Sequence, residues 1–143
     1  MTINKESLVA AARACCERSH APYSGVHVCA AVQGASGAMY LGNNVENAAY
    51  PLGSCAETSA IAAGVQAEGA GFRIAEVAVW AIDRDGRSIA ASPCGGCRQR
   101  IREFAKSGEI EIHFPWREGE IRTVILDDLL PFAFFLPAGP PAR

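Results

Sequence analysis

The sequence has no apolar run near the ~20 residues that a membrane-spanning helix needs. It also lacks any cluster of Lys and Arg, and it has no internal repeat. The first absence argues against a helical membrane partner. The second matters more, because 13 Lys and Arg stand against 15 Asp and Glu, for a net charge of −2 and a pI of about 5.9. Such a chain offers no electrostatic footprint for a nucleic acid, so a small-molecule substrate is expected over a polynucleotide. The opening residues Met1-Thr2-Ile3-Asn4-Lys5-Glu6 run into an alanine-rich amphipathic stretch and not into the pattern of an export signal. The expectation is a cytoplasmic protein. In a reducing compartment six cysteines point to metal or redox chemistry before they point to a disulfide framework.

Half of the 143 residues are hydrophobic and a fifth are charged, the balance of one globular domain with a core of its own. The expected domain covers residues 1–136, followed by a Pro/Gly-rich tail, 137–143. Residues 4–19 carry Leu8, Val9, Ala12, Cys15 and Cys16 at helical spacing, and Pro22 should end that helix. Val26–Val32 and Ala38–Gly42, linked by Gly34-Ala35-Ser36-Gly37, read as a hairpin. A small-residue helix should run from an N-cap at Ser54 to about Ala67 and pack closely on its neighbour. Ile74–Ile82 is almost continuously apolar, which suits a central strand covered on both faces. Another helix follows Cys97. Ile110–Phe114 and Ile121–Ile125 are further strands, and a short helix starts near Asp127. The class is therefore α/β, three layers around a mixed sheet of about five strands, with the later strands joined by helices as in parallel crossovers.

Chemistry concentrates in two stretches. Cys55-Ala56-Glu57 opens one helix, and Pro93-Cys94-Gly95-Gly96-Cys97 opens another. Cys94 and Cys97 are three apart, so one helical turn can present both sulfurs to one ion. Three thiolate ligands, Cys55, Cys94 and Cys97, suit Zn²⁺ with its fourth position left for water, whereas a structural zinc closes all four. Glu57, two residues past the first ligand, is placed to move protons to and from that water. Helix N-termini favour thiolates through their dipole and unpaired N–H groups. A thioredoxin-like reading of Cys94 and Cys97 leaves Cys55 and Glu57 without a role. His27 is expected on a strand surface, and Cys15, Cys16 and Cys29 as small fillers.

These residues, with Ala21-Pro22-Tyr23-Ser24, Asn44-Val45-Glu46-Asn47-Ala48 and Asp128-Leu129-Leu130-Pro131-Phe132-Ala133-Phe134, resemble the small zinc-dependent cytidine deaminases over residues 5 to 135. The zinc-deaminase signature and its chemistry are general knowledge of such enzymes. The resemblance implies the cytidine deaminase fold and hydrolytic deamination of cytidine or 2′-deoxycytidine. It implies a homotetramer with pockets completed by neighbouring chains. It further implies that Asn44 and Glu46 bond the ribose hydroxyls, that the Ala56 N–H bonds the base carbonyl, and that Phe134 walls the base, in its own or a partner subunit. For Asn44 the alternative is local turn chemistry. A blasticidin-type aminopyrimidine deaminase and a non-catalytic zinc module are the rival functions.

The chain departs from the family at three positions. Val26 stands where a Phe is usual, Cys29 where a Gly is usual, and Thr58 where many relatives have an Arg beside the cysteine sulfurs. Arg98, directly after Cys97, is the nearest full charge in sequence and is expected to offset the thiolates together with the helix ends, the alternative being that it only anchors structure.

Overall fold

The computed structural model describes residues 3–137; most of the expected tail lies outside them. Helix α1 (Lys5–Cys15) begins at Asn4, whose side chain accepts the Ser7 N–H at 2.9 Å while Ser7 Oγ accepts the Asn4 N–H. It is shorter than its periodicity suggests, because the chain tightens into a 3₁₀ turn at Cys16–Arg18 before Pro22 is reached. Strands β1 (His27–Gly34) and β2 (Met39–Asn43) form the expected antiparallel hairpin. Helix α2 (Ala56–Glu68) leads to β3 (Ile74–Ile82), and α3 (Gly95–Phe104) leads to β4 (Glu111–Pro115). Strand β5 (Ile121–Ile125) and the short α4 (Leu126–Leu129) complete the described chain.

The sheet order is β2-β1-β3-β4-β5, with β3 in the middle as its apolar run predicts. Among the described strands only β3 and β4 pair in parallel, across the α3 crossover; β5 returns antiparallel to β4 through a tight turn. The expectation of parallel crossovers therefore holds for one pair. The turn at Arg117–Gly119, where Glu118 adopts φ 58°, leaves too few residues for a crossover.

Alternation along β3 divides the core. Val77 and Val79 face α2 and α3 together with Ile61, Phe72, Ile101 and Ile112. Ala78 and Trp80 face α1 with Leu8, Val9, Ala12, Cys16 and Ala31. The three layers follow directly. On the α1 face His113 is fully buried, its Nε2 2.5 Å from Glu76 Oε1 and its Nδ1 2.9 Å from Thr123 Oγ1. That pair is a satisfied polar insert in an apolar layer.

Cys15, Cys16 and Cys29 are all buried, as fillers would be. Cys15 and Cys29, however, are brought side by side, with Cα atoms 5.8 Å apart. The helix end and the strand meet only through tertiary packing, so spacing in the sequence could not reveal the pair.

Candidate active site

The expected cap of α2 needs correction. Ser54 is not the N-cap: its backbone is held extended by a two-way pairing with Val45, N–H to O at 2.9 and 3.0 Å. Cys55 takes the cap position (φ −78°, ψ 157°), and the helix starts at Ala56. Cys94 does the same for α3 (φ −67°, ψ 167°), and Cys97 lies in the first turn that follows. Two cysteines thus sit directly on the electropositive ends of two helices. The Sγ atoms of Cys55, Cys94 and Cys97 all lie within 4.8 Å of one another, and none of the three is in a disulfide.

The electrostatics of this trio call for a cation. Burial pushes the Cys55 thiol above its ordinary value. Burial, then the charges of Glu57 and Cys55, push Cys97 up much further. Cys94 moves down, held first by the backbone N–H of Cys97. Three crowded sulfurs cannot all ionise unaided, and a bound cation inverts that balance. Soft thiolate donors, one short of a tetrahedral set, fit zinc among the divalent ions. The three cysteines are the candidate metal site.

Glu57 stands beside them and is 4% exposed. Burial raises its carboxyl above the usual range. Cys55, Cys94, Ala56 and Glu57 line one end of a cavity of about 610 Å³, whose walls include Val26, Val28 and Val79. The size is that of a small-molecule site.

Polar groups share the lining, among them Glu46 and Asn44. Glu46 Oε1 accepts the N–H groups of Tyr23 (3.0 Å) and Ser24 (3.1 Å), and Oε2 accepts the Ser24 hydroxyl at 2.5 Å. The Ser24 hydroxyl is the main reason its carboxyl lies below the ordinary value. Asn44 Oδ1 accepts the Val28 N–H (2.8 Å) and its Nδ2 donates to Val26 O (2.9 Å), tying the loop to β1. Tyr23 and Tyr50, both in the lining, meet edge to face at 5.8 Å. Sequence reasoning missed this clamp, although Ala21-Pro22-Tyr23-Ser24 was the visible signal for it.

Three named residues lie outside the cavity. Phe134 is 66% exposed, its backbone paired in both directions with the Gln99 side chain at 3.0 and 3.2 Å. Thr58 faces a groove between α2 and α3. Arg98 donates from Nε to Pro93 O (2.8 Å), from Nη1 to Leu129 O (2.9 Å) and from Nη2 to Ser92 Oγ (3.2 Å).

A mixed sheet between helix layers, with three cysteines converging at two helix N-termini, is the arrangement that the resemblance to zinc-dependent deaminases implies. Residues 2–111 match the family model described as the cytidine and deoxycytidylate deaminase zinc-binding region. The chain is 35% identical over 129 residues to the cytidine deaminase of Sporosarcina psychrophila, covering 90% of each chain. It is 37% identical to that of Mycobacterium tuberculosis, covering 87% of this chain and 85% of the relative. Among solved structures, cytidine deaminase from Burkholderia pseudomallei superposes with a TM-score of 0.79 at 35% identity, over 92% of this chain and all of that one. The chain belongs to the cytidine deaminase family.

Proposed function

We propose that this protein hydrolytically deaminates cytidine or 2′-deoxycytidine, with zinc held by Cys55, Cys94 and Cys97. The observation that carries this reading is the Glu57 carboxyl, buried beside three converging thiols at the inner end of a nucleoside-sized cavity. Zinc, when bound, supplies a water whose pKa is lowered to near 7. Glu57 takes one proton of the water as its oxygen adds to C4 of the base and places that proton on N3; it then carries the second, from the hydroxyl added at C4, to the amine, which leaves as ammonia as the C4 carbonyl forms. A carboxyl whose affinity for protons is raised by burial suits that two-way traffic. A non-catalytic zinc module has no use for an acid buried at that point.

The polar part of the lining suits a sugar. Glu46 has an acceptor site left beyond the three it uses, and Asn44 keeps one lone pair and one N–H uncommitted. The Ala56 N–H, at the first turn of α2, is available to the base carbonyl. Val26 in place of an aromatic leaves more room against the base or sugar.

Phe132, Phe134, Phe135 and Leu136 are each more than half exposed, as are Leu52 and the cavity-lining Tyr50. A patch of that kind marks an association surface. The reading is a homotetramer in which Phe134 of one chain walls a neighbour's cavity, and a cytoplasmic enzyme. No described helix is long and apolar enough to cross a membrane.

The test is ammonia release from a panel of free nucleosides, nucleotides, single-stranded DNA and an aminopyrimidine antibiotic. Turnover of cytidine and deoxycytidine above the rest is expected. A preference for the antibiotic, or no turnover with zinc present, would overturn the proposal.

A further inference from the structure

We infer that Arg100, one helical turn beyond the Cys94–Cys97 pair, is a positioning residue whose charge, set beside the cysteine cluster, helps it retain its metal ion. The inference rests on the zinc reading above and deepens it. Three thiolates around a divalent ion leave one net negative charge, in a half-buried place where unpaired charge is costly. Helix ends offset part of this with partial charges only. Arg98 is the cation nearest in sequence, but all three of its guanidinium nitrogens are bonded to Pro93, Leu129 and Ser92, which fixes the loop before α3 to α4. At position 58 stands a neutral threonine.

Arg100 lies on α3, three residues beyond Cys97. Its side chain folds back along α3 onto Gly96: a β-carbon built there would lie 2.9 Å from Arg100 Nη1 and 3.9 Å from Cys94 Sγ. The guanidinium and the sulfur therefore flank one spot on the helix surface. Residues four apart share a helix face, and side chains lean toward the N-terminus, so this posture is the one helical geometry favours. Glycine at 96 permits it, since a side chain there would crowd Nη1. Arg100 also lines the α2–α3 groove with Thr58, so positions 58 and 100 share that groove from the two helices that carry the cysteines. A neutral residue at the first is matched by a cation at the second.

The experiment loads the full chain with zinc and times its transfer to a chelating indicator at 20 mM and at 500 mM salt. It compares wild type, Arg100→Gln, Arg100→Lys, and Arg100→Gln combined with Thr58→Arg. Arg100 is exposed, so the variants should fold, and metal-free melting temperatures check this. Arg100→Gln should release zinc about tenfold faster at low salt, with the difference shrinking at high salt because exposed charges are screened. Arg100→Lys should fall between, and Thr58→Arg should restore most of the retention by returning charge from α2. Release of Arg100→Gln within twofold of wild type would overturn the inference, as would a salt-independent loss that Thr58→Arg fails to rescue. A wild-type chain that binds no zinc overturns the metal reading and this inference with it. Normal zinc in wild type with no effect of Arg100 overturns the inference alone.

Discussion

Gly42 is where β2 and α2 touch backbone to backbone. A β-carbon there would stand 2.2 Å from Ala60 N, 2.4 Å from Ala56 O and 2.8 Å from Ala60 Cα. None of those atoms belongs to a side chain that can rotate away. Gly42→Ala must therefore push α2 off the sheet by about 1 Å to reach ordinary contact. Overpacking of this kind costs about 1–3 kcal/mol, and backbone on both sides puts Gly42 at the upper end. For a domain of this size that lowers the melting temperature by about 10 °C. The functional consequence is separable, because α2 carries Cys55 at its cap and Glu57 in its first turn. A shift of about 1 Å in a reacting group costs on the order of 10² in rate. The assay pairs thermal melting with cytidine turnover at 20 °C, where the variant remains folded. Gly71→Ala, with nothing within 4 Å of the new carbon, serves as the control and should change neither. A Gly42→Ala protein within 2 °C and threefold of wild type would refute the claim that this contact seats the site.

Other outcomes follow from named contacts. Arg98→Gln should lose about 2–3 kcal/mol of stability in chemical denaturation, since charged hydrogen bonds to two carbonyls and a hydroxyl disappear; an unchanged denaturation midpoint would show those bonds to be idle. Burial pushes the Cys16 thiol to about 11 from an ordinary 9.0. The unfolded chain then ionises first, so stability is intact below pH 9 and should fall by about 2–3 kcal/mol as pH rises to 11. Cys16→Ala should flatten that slope, and an equal slope in the variant would assign it elsewhere. Glu46 runs the other way: its lowered carboxyl stabilises the fold above the ordinary carboxylate range and loses that contribution as pH falls through the folded value. Glu46→Gln should remove that contribution and flatten the acid dependence of stability, and it should raise KM for cytidine; a normal KM would remove Glu46 from sugar binding.

The hydrophobic periods made the architecture readable. β3 announced its central place by being apolar throughout, and the small residues of α2 announced a close approach that Gly42 completes. The metal trio was legible for a different reason. Each cysteine stands beside a turn signal that starts a helix, so local sequence alone brings the sulfurs to helix ends. What was not legible depends on tertiary neighbours. Ser54 looked like a cap, but a backbone pairing with Val45 kept it extended and handed the cap to Cys55. Arg98 looked like the compensating charge because it is adjacent in sequence. Its reach to Leu129, 31 residues on, could not be read from spacing, nor could the return of Arg100 over Gly96. The Tyr23–Ser24 clamp on Glu46 and the Cys15–Cys29 approach are of the same kind.

Glu57→Gln tests the central claim most directly, because amide replaces acid at constant shape while Cys55, Cys94 and Cys97 are untouched. Zinc per chain and the rate of cytidine loss are measured on the same preparation, beside wild type. The account predicts about one zinc per chain in both proteins and a rate reduced at least on the order of 10²-fold in the variant. A zinc-replete Glu57→Gln protein that turns over cytidine at near the wild-type rate would contradict it.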